Sequence, residues 1–361
     1  MKILHVLYSG LGGHGNIFFS FVKNGVSDAL QYEALFNGIE EVKPEYLELC
    51  ATYNLDWHFV SKKKGLDIGY YRQLINWIGK SDADVVFLHS AAYILPAKLA
   101  NIFGKRKKRI IVRETQANQL KSKMEWFWLA FAMLAATNIV FLSEEYRTEI
   151  AKKLSWCYRS GKIKVIPNGI DLDLFSPRKK PWAGKQVIGM QSRLVPIKDH
   201  LTLLEAFSLV HKTDAGKNVL LKIAGDGEFR QVLVNKAAAL GLGNAVEFTG
   251  IISENELPYF LGSLDIYVHA SLGETMSTAI MQAMASGLPV IASNVMGISN
   301  MIEDGRNGIL VPVKDAAALA TAMESLMADE ARRAVLSSAA RQYAENKFFN
   351  KKMLDAYRQL F

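Results

Sequence analysis

Short apolar runs alternate with amphipathic stretches along most of the chain. In the first half KILHVLY, VVFLHS, RIIVRE, NIVFLS and KVIP read as buried strands, with helices expected over about residues 16–30 and near 95–102. Strands that are apolar on both faces, separated by helices, predict a parallel sheet covered on both sides. The pattern breaks after Pro167, where NGIDLDLFSPRKKPWAGK is dense in Gly, Pro and charge and has no period; this is the expected linker. A second alternation follows, with QVIGMQS, VLLKIAG, AVEFTG, DIYVHAS and PVIAS as strands and helices over 200–211 and 230–240. The last helical stretch, from 331 onward, is long enough to reach back to the first half. The expectation is an α/β chain of two Rossmann-like domains, 1–175 and 176–340, with a terminal helix, 341–361, packing back on the first.

A length of 361 residues suits two cores, since single cores stop growing below that size. Half of the residues are hydrophobic and 22% are charged, which excludes disorder as the main state. The opening MKILHVLYSG reads as a buried strand running into glycines, without the apolar region and small-residue cleavage site of a leader. Residues 124–142 have the length of a membrane span, but Glu125 and the Thr137-Asn138 step divide them into an aromatic helix and a strand. Cys50 and Cys157 lie far apart without a partner motif, which excludes a disulfide framework and a cysteine zinc site and fits a reducing compartment. A cytoplasmic protein is expected, at most resting on the inner face of the plasma membrane.

The net charge of +8 lies in the first half of the chain, in Lys62-Lys63-Lys64, the run from Lys105 to Arg109, Lys121, Lys123 and Lys152-Lys153, with Trp126-Phe127-Trp128 beside them. These clusters are either solvated loops or a basic, aromatic-flanked face for anionic lipid. No helix-turn-helix or other nucleic-acid motif accompanies the charge, so nucleic acid is not an expected partner.

Several segments carry chemistry. Ser9-Gly10-Leu11-Gly12-Gly13-His14-Gly15 stands between a strand and a helix, where backbone N–H groups either face an anion or merely make a tight turn. It is out of register with the dinucleotide fingerprint, so an NAD enzyme is not expected. Arg193 and Lys198 follow the first strand of the second domain, at a carboxyl end where open α/β sheets bind ligands; the plainer alternative is an ordinary surface pair. Ala224-Gly225-Asp226-Gly227-Glu228 ends the next strand at the same edge. Thr278 is the expected N-cap of a helix running to Ser286 and closed by Gly287, which aims the amides of Met276, Ser277 and Thr278 at a phosphate. Glu274 lies just outside that helix, as an acceptor for sugar hydroxyls or as a buried structural carboxylate. His89 ends a strand of the first domain, where it either reaches a sugar hydroxyl or is structural.

Ser-Arg-Leu-Val-Pro-x-Lys at 192–198, the Ala-Gly-Asp-Gly-Glu turn, the Gly-Glu stretch before an E-x7-E-like helix, Val-Ile-Pro-Asn-Gly-Ile-Asp at 165–171 and the early Gly-Gly pair together resemble the family 4 retaining glycosyltransferases of the GT-B fold, the glycosyl transferases group 1. The resemblance is strongest over 163–315. It implies two facing Rossmann-like domains with a cleft between them, the first for the acceptor and the second for the donor. It implies that Arg193 and Lys198 hold the donor diphosphate, that Glu274 holds the hydroxyls of the transferred sugar, and that His89 touches that sugar. Gly12 and Gly13 would approach the phosphate, Ile251 and Ile252 would line the base pocket, and Asn168 would lie at the hinge. Gly225, Gly227, Thr275, Met276, Ser277 and Thr278 would complete the donor side. One position departs from the family: the second glutamate of the pair, which binds the ribose, is Gln282 here.

The implied reaction is a metal-independent, retaining transfer from a nucleotide-diphosphate sugar, with a UDP-sugar expected, to a saccharide acceptor carried by lipid, in bacterial surface polysaccharide synthesis such as O-antigen, lipopolysaccharide or capsule. The nucleotide-sugar is a co-substrate and no cofactor is expected. Asp171-Leu-Asp173 imitates a metal-binding Asp-x-Asp but falls in the expected linker, and is discounted. The alternatives are a sugar-nucleotide epimerase or hydrolase of the same fold, and a non-catalytic nucleotide-sugar binder.

Overall fold

The computed structural model describes residues 1–10, 13–24, 30–178 and 184–361. The chain divides into two compact units, Met1–Gly169 with Asn350–Phe361, and Ile170–Phe349.

Unit 1 alternates strands and helices: β1 (Lys2–Tyr8), α1 (Gly13–Asn24), β2 (Gln31–Gly38), α2 (Pro44–Thr52), β3 (Asp56–Ser61), α3 (Ile68–Lys80), β4 (Val85–Leu88), α4 (Ile94–Phe103), β5 (Arg109–Arg113), α5 (Lys123–Ala135), β6 (Asn138–Phe141), α6 (Glu144–Lys153) and β7 (Ile163–Val165). The strands form one parallel sheet in the order β3-β2-β1-β4-β5-β6-β7. Ile3, Val85, Phe87, Ile111 and Val140 of the central strands are buried on one face, while Leu4, Val6, Val86, Leu88 and Val112 are buried on the other. Burial on both faces is why these strands read as continuous apolar runs.

Two strands of this sheet, β2 and β3, had not been expected from the hydrophobic pattern. In β2 the runs are interrupted by Glu33 and Asn37, both buried and both partnered. Lys2 and the Ser81 hydroxyl meet Glu33, and the Asn37 amide donates to the Leu7 carbonyl while accepting from the Tyr70 hydroxyl. Polar atoms satisfied in this way are tolerated in a core but look like loop to a hydropathy reading. β3 is the edge strand and is largely exposed.

Unit 2 runs β8 (Gln186–Gln191), α7 (His200–His211), β9 (Val219–Ala224), α8 (Arg230–Ala239), β10 (Val246–Gly250), α9 (Leu257–Gly262), β11 (Ile266–His269), α10 (Thr278–Ala285), β12 (Val290–Ser293), α11 (Met296–Ser299), β13 (Ile309–Val311), α12 (Ala316–Ala328) and α13 (Glu330–Lys347). Its sheet is also parallel, in the order β10-β9-β8-β11-β12-β13. Both units are thus Rossmann-like, as expected. In unit 1 the strand order reverses between β1 and β4, and in unit 2 between β8 and β11. Such reversals open a crevice at the carboxyl ends of the strands.

The boundaries differ from the expected ones. Residues 170–178 are not a free linker: Ile170, Leu172 and Phe175 are buried in the core of unit 2, and Arg341 donates to the Phe175 carbonyl at 2.8 Å. The expected terminal helix is two helices. α13 stays with unit 2, burying Leu336, Ala340 and Ala344, and only α14 (Asn350–Arg358) belongs to unit 1. Its Met353, Leu354 and Tyr357, with Phe361, form one apolar stripe that packs on Ile3, Phe21, Phe87 and Val140. Gly169 permits the crossover, since a Cβ there would lie 2.6 Å from the Cα of Asn350. Residues 179–183, also in the expected linker, lie outside the described residues.

Among the described residues no helix is long and apolar enough to cross a membrane. Two lysines of the basic clusters turn their side chains inward. The Lys121 side chain is 1% exposed and pairs with Glu114 at 3.2 Å, and Lys108 is buried. Lys153, by contrast, stands over the Trp126 ring at 3.9 Å, with Met124 and Phe127 exposed on the same helix.

Candidate functional site

The chemistry of unit 2 gathers where its strand order reverses, in the loops that leave β8 and β11. After β8 the chain turns through Ser192–Lys198 and is held down by the loop after β9: Ser192 N–H donates to the Ala224 carbonyl at 3.0 Å and Leu194 N–H to the Asp226 carbonyl at 2.9 Å. Gly225 and Gly227 make this approach possible. A Cβ on either would strike the carbonyl oxygen of Ser192 or of Leu194, and Gly225 also has φ +129°. These two glycines, expected at the donor, therefore serve the stacking of two loops. The loop after β11 is tied to the same turn, since Leu272 N–H and the Ser271 hydroxyl both donate to the Ile197 carbonyl.

That stitching brings Lys198 and Glu274, 76 residues apart, into an ion pair whose side chains are only 15% and 11% exposed. Nε2 of His269, the last residue of β11, lies 2.9 Å from the same carboxylate oxygen, Oε1. Burial alone would raise the Glu274 carboxyl, but the Lys198 charge and the His269 hydrogen bond hold it down at about 2. His269 is itself completely buried, and burial lowers its pKa, so at neutral pH the ring is neutral. Its Nε2 then carries the proton, because an ionised carboxylate only accepts. Arg193 is exposed at the start of the turn, and its guanidinium forms no ion pair among the described residues.

The helix after Glu274 is capped one residue earlier than expected. Ser277 has extended backbone and its hydroxyl accepts from Ile280 N–H, whereas Thr278 is already helical. The amides a helix start leaves open are then those of Thr278 and Ala279, in place of the expected Met276, Ser277 and Thr278. Thr275 and Met276 precede the cap, partly buried. Gln282 is buried on α10, and its Oε1 accepts from Gln191 Nε2 at 2.6 Å. Ile251 follows β10, 62% exposed, while Ile252 packs partly against the core. Asp171, of the discounted Asp-x-Asp, uses its Oδ1 to accept from Asp173 and Leu174 N–H, closing a turn.

In unit 1, Gly12 lies outside the described residues. Gly13 opens α1, and a Cβ there would meet nothing within 4 Å among the described residues, whereas one on Gly10 or Gly15 would strike the ring end of Tyr8 or Tyr46. His89, just past β4, is fully buried, with Nε2 3.0 Å from Nδ1 of His5. Burial lowers both imidazoles, His5 to about 3. Nδ1 of His89 has no hydrogen-bond partner among the described residues, which leaves one ring nitrogen for a ligand. Asn168 accepts from Arg113, which is buried with it.

Sequence reasoning had not singled out His5, Gln191 or His269. A histidine ending an otherwise apolar strand, five residues before a glutamate that follows glycine, is the signal that could have found His269.

Residues 37–174 match the family model of Glycosyltransferase Family 4, and residues 174–343 that of Glycosyl transferases group 1. The chain belongs to these glycosyltransferases. The UDP-Gal:alpha-D-GlcNAc-diphosphoundecaprenol alpha-1,3-galactosyltransferase of Escherichia coli is 24% identical to this glycosyltransferase, over 92% of the chain and 95% of its own length. The lipopolysaccharide core biosynthesis glycosyltransferase LpsE of Rhizobium meliloti is 31% identical, over 58% of the chain and 61% of its own length. Among solved structures, Anabaena Alr3699/HepE in complex with UDP-glucose has a TM-score of 0.84 at 20% identity, covering 100% of this glycosyltransferase and 99% of that chain. That last likeness is one of fold.

Proposed function

We propose that this glycosyltransferase moves a sugar from a nucleoside-diphosphate sugar, a UDP-sugar, to a lipid-linked saccharide with retention of configuration and without a metal. The observation that carries the reading is the Lys198–Glu274 pair at the strand-order reversal of unit 2, beside the start of α10. A cation and a helix start at one place suit a diphosphate, and a carboxylate held ionised suits sugar hydroxyls. The Escherichia coli relative's name, with its UDP-galactose donor and diphosphoundecaprenol-linked acceptor, supports the choice of donor and acceptor class.

In this reading unit 2 binds the donor and unit 1 the acceptor. The bond from the sugar's anomeric carbon to the diphosphate breaks as the acceptor hydroxyl adds on the same face. The hydroxyl proton passes to an oxygen of the departing diphosphate, and Arg193, Lys198 and the α10 amides meet the charge that builds there. The exposed Met124 and Phe127, next to Trp126 and Lys153, form a candidate contact with anionic lipid near the acceptor.

The test is release of nucleoside diphosphate from UDP-, GDP- and ADP-sugars, with and without a lipid-linked acceptor fraction and with a chelator. Acceptor-stimulated release from a UDP-sugar, insensitive to chelator and lost in Lys198→Ala and Glu274→Ala, is expected. Retained nucleotide binding without any release would make the protein a non-catalytic binder, and strong inhibition by the chelator would end the metal-free mechanism. The anomeric configuration of the product, read by NMR, decides retention.

A further inference from the structure

We propose that His269 is a positioning residue that keeps Glu274 ionised and aimed while Lys198 exchanges the carboxylate for the donor diphosphate. The inference rests on the assignment of Lys198 and Glu274 made above, and it concerns a side chain for which that assignment has no role.

The argument begins with competition for one cation. Lys198 Nζ is committed to Glu274 Oε1, and a diphosphate at the same turn draws on the same ammonium. The Glu274 side chain is largely enclosed, so weakening its ion pair with Lys198 would give more weight to burial, which favours the protonated acid. A protonated Glu274 has given up an acceptor site and can turn a donor toward the sugar. Something must hold the charge in place through the exchange.

His269 has the geometry for it. Its Nε2 reaches Oε1 at 2.9 Å, and the ring is fixed on every side. Nδ1 lies 3.3 Å from the Tyr267 hydroxyl, which is 3.2 Å from the Gln191 carbonyl, and the two rings are stacked with 20° between planes. The Ser277 hydroxyl that caps α10 stands 3.3 Å from Nε2. The ring therefore has no freedom to follow Lys198 away. Among the described residues the charged and titratable groups facing Glu274 include Lys198 from the turn after β8 and His269 and Tyr267 from β11, with His269 in turn acting on His200 at the start of α7. α11 brings Gly297 against the Glu274 backbone, and the cap of α10, Ser277, stands beside His269. The network continues from Tyr267 through the Gln191 backbone, whose side chain holds Gln282, so the two positions of the E-x7-E-like pair share one scaffold.

The experiment compares wild type, His269→Leu and His269→Gln in pH profiles of kcat/KM for whichever of UDP-, GDP- or ADP-glucose the wild type consumes, with near-ultraviolet circular dichroism as the check on folding. His269→Leu is expected to lower kcat/KM by about tenfold to a hundredfold at pH 7, the range of a hydrogen bond to a charged group. It is also expected to move the acid limb of the profile upward by about one pH unit or more, because Glu274 then titrates without the hydrogen bond from His269. His269→Gln, whose amide nitrogen reaches to where Nε2 stands, should recover most of both. A His269→Leu enzyme with the wild-type acid limb and kcat/KM would overturn the proposal, as would a folded His269→Gln no better than leucine. If leucine prevents folding, His269→Gln is set against His269→Asn, whose amide falls one carbon short, and equal profiles would refute the role. A wild type that consumes no donor removes the underlying assignment and this role with it, whereas an active wild type unmoved by the His269 variants removes this role alone.

Discussion

Position 282 is proposed to hold the nucleotide's ribose in this glycosyltransferase. The amide of Gln282 accepts from Gln191 and is 8% exposed, in the place where the family has a carboxylate for the ribose. A carboxylate would keep the bond from Gln191 and make it charge-assisted, and it would accept ribose hydroxyls more strongly than an amide oxygen. Gln282→Glu is therefore expected to tighten UDP binding by about tenfold, the worth of one charged in place of one neutral acceptor. Titration calorimetry reads the change directly. An unaltered Kd would mean that Gln282 only braces Gln191 and does not touch the nucleotide.

At the scale of elements, two glycines of similar appearance do different work. Gly225 carries φ +129° and has the Ser192 carbonyl where a Cβ would stand, so Gly225→Ala must pull apart the loops after β8 and β9 that place Lys198. A loss of about 2 kcal/mol or more in urea unfolding of unit 2 is expected, from strain and broken loop hydrogen bonds together. Gly13→Ala meets open space, and should change stability by no more than about 0.5 kcal/mol; a fall in activity without a fall in stability would mark a ligand's approach there. The contrast shows what a sequence discloses. Both glycines stood out as candidate donor contacts, Gly13 at the phosphate and Gly225 on the donor side, because spacing identifies a turn, but which atom fills the space beside it depends on a loop folded from another segment. The central strands and the helix over 200–211 were legible because period and burial agree in them. β2 was not, because Glu33 and Asn37 are buried by virtue of partners contributed by Lys2, Leu7, Tyr70 and Ser81. Lys198 and Glu274 could be named singly, yet their pairing, and His269 behind them, follow from the β8–β11 adjacency that only the topology supplies.

Across the whole molecule, buried imidazoles set the response to acid. His5 and His200 are pushed down to about 3 by burial, and His89 and His269 are lowered by the same cause. Each is neutral in the folded chain but takes up a proton on unfolding near the ordinary imidazole value of about 6.5. Unfolded chains thus bind more protons than folded ones as pH falls below about 6.5, and stability drops from there until the folded pKa is reached. Glu274 has the opposite starting point and adds to the loss lower down: held at about 2 against 4.5, it stabilises unit 2 above that range and ceases to as pH falls through it. A single histidine shifted to about 3 accounts for on the order of 3 kcal/mol by pH 4. Calorimetry from pH 7 to pH 4 should show both units losing stability, each having two such histidines. His5→Phe places a ring of like shape among Phe18, Phe21 and Phe87, and should flatten the decline for unit 1 while leaving that of unit 2 in place. A transition that stays constant between pH 6.5 and pH 4 would mean that these histidines take up protons in the folded chain, which the enclosure of His5, and of the His89 ring hydrogen-bonded to it, forbids.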